Sequence, residues 1–191
     1  MSVATKNKIN ASAAIDASND SSILLDYCYT SLEKFEDAIE TRPRGKIKKD
    51  KETEKYKTNG IKFAYNQLGG YDNFTTTINK LIVEPQALEL LDLSFNELST
   101  IDPVLLDYPN LKILCLQGNN ISDLREIDKL AALPNLHTIS LQGNPIEDDD
   151  HFKCYTTSKL LHLKKFNSAP LTKQDKACSH QHQGKSKKKA K

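Results

Sequence analysis

From Leu88 onward the large aliphatic residues fall at fixed unequal intervals, neither a helical stripe nor a plain alternation. Leu88, Leu91, Leu93, Asn96, Leu98 and Ile101 recur as Leu111, Leu114, Leu116, Asn119, Ile121 and Leu124. They recur again as Leu136, Ile139, Leu141, Asn144 and Ile146, with steps of 23 and then 25 residues. A degenerate copy, Ile61, Phe63, Asn66 and Leu68, lies 30 residues before Asn96. Alternate positions of a short strand point to opposite faces, so the leucines of each copy point inward and stack on those of the next. The Asn ends the strand where the chain turns, and its amide can satisfy backbone groups of the neighbouring copy. Asn66, Asn96, Asn119 and Asn144 are thus expected to form a ladder.

Between strands the chain must return, and the return arms carry helix signals. Asp102-Pro103 offers an N-cap followed by proline at the first helical position. Asp123 and Glu126 resemble a capping box. Pro109 and Pro134 stop these arms before the next strand. The longer arm from Gly69 to Ala87 predicts helix around Thr76 to Val83. The pattern L-x-x-L-x-L-x-x-N-x-L is the leucine-rich-repeat signature. The predicted fold is an α/β repeat: a short leucine-rich-repeat solenoid with a parallel concave sheet, a convex side of helix and 3-10 turn, and a C-terminal cap.

The flanks read differently. Residues 1–22 are small and polar and predict a disordered tail. Residues 23–57 are expected to hold a sticky docking segment, Ile23 to Tyr29, then a helix from about Ser31 to Glu40 with Thr30 and Glu33 as its capping box, then a basic linker or solvated strap. Residues 58–147 hold about four repeats. Residues 148–171 form the cap, with Phe152, Tyr155, Leu160, Leu161, Leu163 and Phe166 covering the open end of the core. Residues 172–191 predict a basic disordered tail.

Composition refines this picture. Only 38% of the chain is hydrophobic, which fits a core confined to part of the sequence. The net charge of +2 hides segregation. Residues 42–57 carry eight Lys/Arg against three Asp/Glu, and residues 172–191 carry seven Lys against one Asp. No apolar run is long enough to span a bilayer and no secretory signal opens the chain. Cys28, Cys115, Cys154 and Cys178 are far apart, with no CxxC pair, and are expected to be reduced thiols. Cys178, His180 and His182 are the nearest approach to a ligand cluster, but they lack a fourth partner, so no metal site is expected.

In detail the chain resembles the leucine-rich repeat-containing protein 51 family. The resemblance is carried by LDLSFNELSTIDPVL, by LQGNNISDLREIDKLAALPNL, by LQGNPIE and its aromatic-rich sequel, and by LLDYCY, RPRG and LTKQDK. It covers roughly residues 24–177, and the Ser-rich start and Lys-rich end depart from it. The resemblance implies a cytoplasmic, non-catalytic protein associated with cilia, with partners that include axonemal components.

If the register holds, Leu90, Asp92, Ser94, Ile113, Cys115, Gln117, Thr138, Ser140 and Gln142 face the concave side, and Phe95 and Tyr65 flank the turn beside it. Leu90, Ile113 and Cys115 are apolar where solvent would favour polar groups, and such a patch marks an interaction site. The expected centre is Leu90, Ile113 and Phe95, with Asp92 and Gln117 giving polar specificity. Two alternatives stand beside it: the N-terminal segment covers these residues, or Phe95 is core. The expected function is a monomeric protein-interaction scaffold without cofactor. An adaptor held on an acidic polymer by the basic arms, either tubulin tails or nucleic acid, is the alternative. Nucleic acid is disfavoured by the lack of interleaved aromatics. No phosphate-loop, nucleophile-elbow or metalloprotease motif occurs, and His137, His151 and His162 read as packing or cap residues, so no catalytic residue is expected.

Overall fold

The computed structural model describes residues 24–175. Seven short strands form one sheet in chain order: β1 (Leu25–Asp26), β2 (Gly60–Lys62), β3 (Leu90–Asp92), β4 (Ile113–Cys115), β5 (Thr138–Ser140), β6 (Lys165–Phe166) and β7 (Ala169–Pro170). The first six run parallel and β7 turns back antiparallel to β6. The register places Ile61 beside Leu91, Leu91 beside Leu114, and Leu114 beside Ile139. The repeat is therefore an alignment in space as well as in sequence.

The return arms carry α1 (Asp37–Glu40), α2 (Phe74–Leu81) and α3 (Phe152–Lys159), with 3-10 segments at Pro85–Ala87, Pro103–Asp107, Leu124–Ala132 and Pro145–Asp148. They neighbour one another in a convex row, α1 against α2 and α3 against the Leu124–Ala132 segment. The Asp102 cap forms as expected, accepting from Val104 N–H at 2.8 Å. Of the Asp123/Glu126 pair only Asp123 caps its own arm, accepting from Arg125 N–H. Glu126 instead accepts from Ile101 N–H of the previous coil at 2.6 Å. The helix expected over Thr76 to Val83 begins two residues earlier and ends at Leu81.

The N-terminal part differs most from expectation. Leu25 and Tyr27 are fully buried, and Tyr27 stacks on Phe63. Leu25, Tyr27, Thr30 and Leu32 thus form a first coil of the solenoid, with Tyr in place of Leu and Thr in place of Asn. The expected helix from Ser31 shrinks to Asp37–Glu40 because Ser31 is left-handed (φ 57°) and Thr30 is committed to the coil, where its hydroxyl donates to Tyr27 O. Leu32, Phe35 and Ala38 lie inside the common core. Neither β1 nor α1 therefore covers the concave wall, and that alternative is set aside.

Both edges of the sheet are closed. At the N-terminal edge Arg44 forms an antiparallel bridge to Asp26, its N–H donating to Asp26 O at 2.6 Å. At the C-terminal edge β7 seals β6. The end of the core is covered by Phe152, Leu160, Leu163 and Phe166, all buried, whereas Leu161, expected to share that task, is exposed. Cys28 and Cys115 are free thiols; Cys154 is disulfide-bonded, a departure from the expectation of four reduced cysteines. The Cys178/His180/His182 group, residues 1–22 and residues 176–191 lie outside the described residues; the expected C-terminal disordered tail begins in an ordered turn instead, where Asp175 accepts from Thr172 N–H and pairs with Lys153 at 2.6 Å.

Candidate functional site: the concave wall and its aromatic rim

The Asn ladder fixes the wall. Each rung accepts through Oδ1 from the coil before it and donates through Nδ2 both backward and to its own coil. Asn119 accepts from Leu98 N–H at 3.0 Å and donates to Leu93 O and Leu116 O at 2.9 and 3.0 Å. Asn96 serves Leu68, Phe63 and Leu93 in the same way, and Asn144 serves Ile121, Leu116 and Leu141. Asn66 reaches back to Leu32 N–H, Thr30 N–H and Tyr27 O. All four are buried, so each bond replaces one that water cannot supply. Asn167 extends the ladder forward by accepting from Leu141 N–H at 2.8 Å.

Register then assigns the wall in rows. Leu24, Gly60, Leu90, Ile113, Thr138 and Lys165 make the first row. Asp26, Lys62, Asp92, Cys115 and Ser140 make the second. Ser94, Gln117 and Gln142 follow in the third. The sequence-derived residues thus share one face, but their exposure differs from expectation. Leu90 and Cys115 are only 7% and 5% exposed. Thr138, Ser140, Ser94 and Gln117 are buried as well, leaving Ile113 and Gln142 half-exposed. In-register side chains on strands about 4.8 Å apart shield one another, so the apolar members lie within the wall and form no open patch. Burial pushes the Cys115 thiol up to about 12, and it is no nucleophile at neutral pH.

Asp92 is the anomaly of the second row. It is 6% exposed and accepts from Ser94 N–H at 3.0 Å. Burial raises its carboxyl above the ordinary range, against the downward pull of its bonds with Ser94 and the charge of Lys62 in the next strand. Asp26, at the matching place in the first coil, accepts from Cys28 N–H in the same manner. Lys62 therefore sits between two carboxylates in one row. His137, read as a packing residue, bonds Thr138 Oγ1 through Nδ1, and burial with nearby Lys164, Lys112 and Lys165 lowers its pKa.

The rim carries what the sequence showed only in part. Tyr29, Tyr65 and Phe95 each precede a ladder position with left-handed φ of 59°, 59° and 55°. Their rings stack face to face, Tyr29 on Tyr65 at 4.3 Å and Tyr65 on Phe95 at 4.4 Å. Arg44 lies over the outer face of Tyr29, and the Phe95 ring rests on Gly118, where an added Cβ would come within 2.5 Å of it. Phe95 is thus half-buried in a ladder, and it neither enters the core nor stands free as an anchor. Tyr29, 61% exposed, is the most open aromatic of the rim. An aromatic just before the turn position in three successive coils, Tyr29 before Thr30, Tyr65 before Asn66 and Phe95 before Asn96, was the available signal.

Among the described residues no group of three His, Cys, Asp or Glu is arranged to hold a metal ion, and no helix is long and apolar enough to cross a membrane. Parallel strands, an internal Asn ladder and helical return arms define a leucine-rich-repeat protein, and a leucine-rich-repeat family model matches residues 53–191. The chain belongs to the leucine-rich repeat-containing protein 51 family: it is 36% identical to the protein of that name from Rattus norvegicus over 155 residues, covering 80% of this chain and 81% of the rat protein. The Homo sapiens protein is 34% identical over 154 residues, with 80% of each chain covered. Among solved structures, a chain of the Drosophila melanogaster SNF/U2A' complex superposes with a TM-score of 0.57 at 26% identity, covering 69% of this chain and 74% of that one. A chain of the Chaetomium Mex67:Mtr2 structure shares the fold, with a TM-score of 0.50 at 20% identity over 65% of this chain and 91% of that one.

Proposed function

We propose that this protein is a non-catalytic interaction scaffold that holds a protein partner against the concave wall of its repeat sheet. The observation that carries the reading is the wall itself. Six parallel strands present in-register rows of mixed polar and apolar side chains, while the described helices pack on the opposite, convex side. The half-exposed Ile113 and Gln142 lie towards its middle, Lys62 and Asp26 towards one end, and the aromatic ladder along one rim. A partner there meets apolar contact, fixed charge and flat ring edges, the combination that makes hot spots. The similar chain in the SNF/U2A' structure is itself part of a complex, which supports the use of this fold for holding a partner.

The test is position-specific photo-crosslinking in ciliated cells. A photoreactive residue at Ile113 or Gln142 is expected to give one discrete protein adduct, and the same group at the convex Leu106 or Ala131 is expected to give none. An axonemal polypeptide in that adduct would support the ciliary setting that the family resemblance implies. Adducts from the convex positions alone would overturn the concave reading.

A further inference from the structure

The strap from Arg42 to Lys57 is not accounted for by the wall. It holds eight Lys/Arg against three Asp/Glu. Asp50 closes its turn by accepting from Thr53 N–H and pairs with Lys57 at 2.7 Å. The strap is fastened at both ends. Arg44 N–H donates to Asp26 O, Tyr56 N–H donates to Leu81 O at 2.8 Å, and Val83 N–H returns a bond to Tyr56 O at 3.0 Å. Along residues 42–48 the burial pattern is one-sided. Pro43 is buried and Ile47 packs on the core, while Arg42, Arg44, Lys46 and Lys48 are all exposed. Four cations are thus displayed as a ridge on a fixed backbone, at the N-terminal edge of the sheet.

Like charges exposed along one short segment repel one another, and that repulsion is relieved by a partner supplying anions. Two polyanions are available in principle, acidic polypeptide and nucleic acid. Single-stranded nucleic acid is gripped by open aromatic faces as well as by charge. Here the nearby faces are taken. Tyr29 has Tyr65 on one side and Arg44 on the other, and Lys49 lies over Tyr56. Carboxylates need only the cations; Arg42 can offer bidentate geometry, while Arg44 keeps one Nη donor on Cys28 O at 3.2 Å and presents the rest of its guanidinium. We infer that the Arg42–Arg44–Lys46–Lys48 ridge is a docking site for a run of Asp and Glu residues in a partner polypeptide. It adjoins the concave wall at the Tyr29 rim, where Arg44 lies, but stands whether or not the wall binds a partner.

The experiment measures binding of a fluorescent oligo-glutamate peptide to the full-length protein by anisotropy. The comparison uses R42Q/R44Q/K46Q/K48Q and a tail variant in which Lys185, Lys187, Lys188, Lys189 and Lys191 are replaced by Gln. The expected result is a loss of about fivefold or more in affinity for the ridge variant, a smaller loss for the tail variant, and weakening between about 50 and 200 mM salt as exposed charges are screened. A thermal melt checks that the ridge variant is folded; if it is not, K46Q/K48Q alone, at two exposed positions, must show a salt-sensitive loss of about twofold or more. A smaller loss in the folded variant overturns the inference. So does tighter binding of a single-stranded oligonucleotide of equal charge that is lost in the ridge variant, which would make the ridge a nucleic-acid surface.

Discussion

The first three coils and the next two solve one backbone problem in two ways. Every coil needs a left-handed residue just before its ladder position. Coils at Gly118 and Gly143 meet that need with glycine, φ 66° and 72°. Coils at Tyr29, Tyr65 and Phe95 use aromatic residues in the same conformation. An L-residue there costs roughly 1–2 kcal/mol. Each stacked pair of rings returns about 0.5–1.5 kcal/mol. The ladder therefore offsets much of its own strain, and it does so only as a contiguous run. It stops at Gly118 because Phe95 occupies the space that a Cβ would need. The lesson is that the Asn rung dictates the backbone, and the residue before it is chosen by its neighbour in space.

The comparison can be broken most severely at the rung common to both halves. Asn119→Ala strips one acceptor and two donors from buried backbone groups at the junction of the aromatic and glycine coils. It should lower unfolding free energy by about 3 kcal/mol, as for buried partners left unpaired, read from denaturant midpoints. Next, Gly118→Ala should cost about 2–3 kcal/mol, strain plus displacement of the Phe95 ring, whereas Gly143→Ala should cost about 1 kcal/mol from strain alone. The added Cβ at Gly143 meets only ordinary contact, 3.5 Å from Gly118 N. Equal effects at the two glycines would refute the steric part of the comparison. Tyr65→Ala keeps the strain and loses two ring contacts, an expected loss of about 2 kcal/mol, while Tyr65→Gly should lose only about 1 kcal/mol. Both variants lose the same rings, so the reverse order would show that the left-handed strain at Tyr65 is negligible.

The smallest effect is expected on the wall, where Asp92 has the opposite sign. Its carboxyl is raised by burial, so its favourable contribution is complete below the ordinary carboxyl range and is lost as pH rises through the raised value in the folded protein. Asp92→Asn should therefore stabilise the protein at neutral pH by about 1 kcal/mol, with the gap closing on acidification. Parallel melts of the two proteins across that range decide it. A constant gap would mean that Lys62 already neutralises the carboxylate.

Much of this was legible because leucine spacing and Asn position are one-dimensional records of register. Leu91, Leu114 and Ile139 are cross-strand neighbours for the same reason that they align in sequence. The first coil escaped notice because Tyr27 replaces Leu, Thr30 replaces Asn, and the strap stretches its return arm so that Asn66 follows Thr30 by a step of 36. The wall residues were legible as a face but not as an exposure. Alternation tells which way Leu90 and Cys115 point, whereas their burial depends on how side chains of adjacent strands close over them. Tyr65 and Phe95 were legible as flanking the turn; that they share a stack with Tyr29 follows from left-handed angles that no spacing records.

The sealed edges have a consequence for how such a chain can change over generations. Pro43-Arg44 on one side and Ala169-Pro170 on the other occupy the places where a further strand would join. A duplicated parallel unit appended at either terminus meets an antiparallel segment in place of the parallel edge it would continue. Lengthening the arc is open only by insertion between existing coils, where each newcomer inherits an Asn on both sides, so the family's size can vary from the middle while its ends stay recognisable.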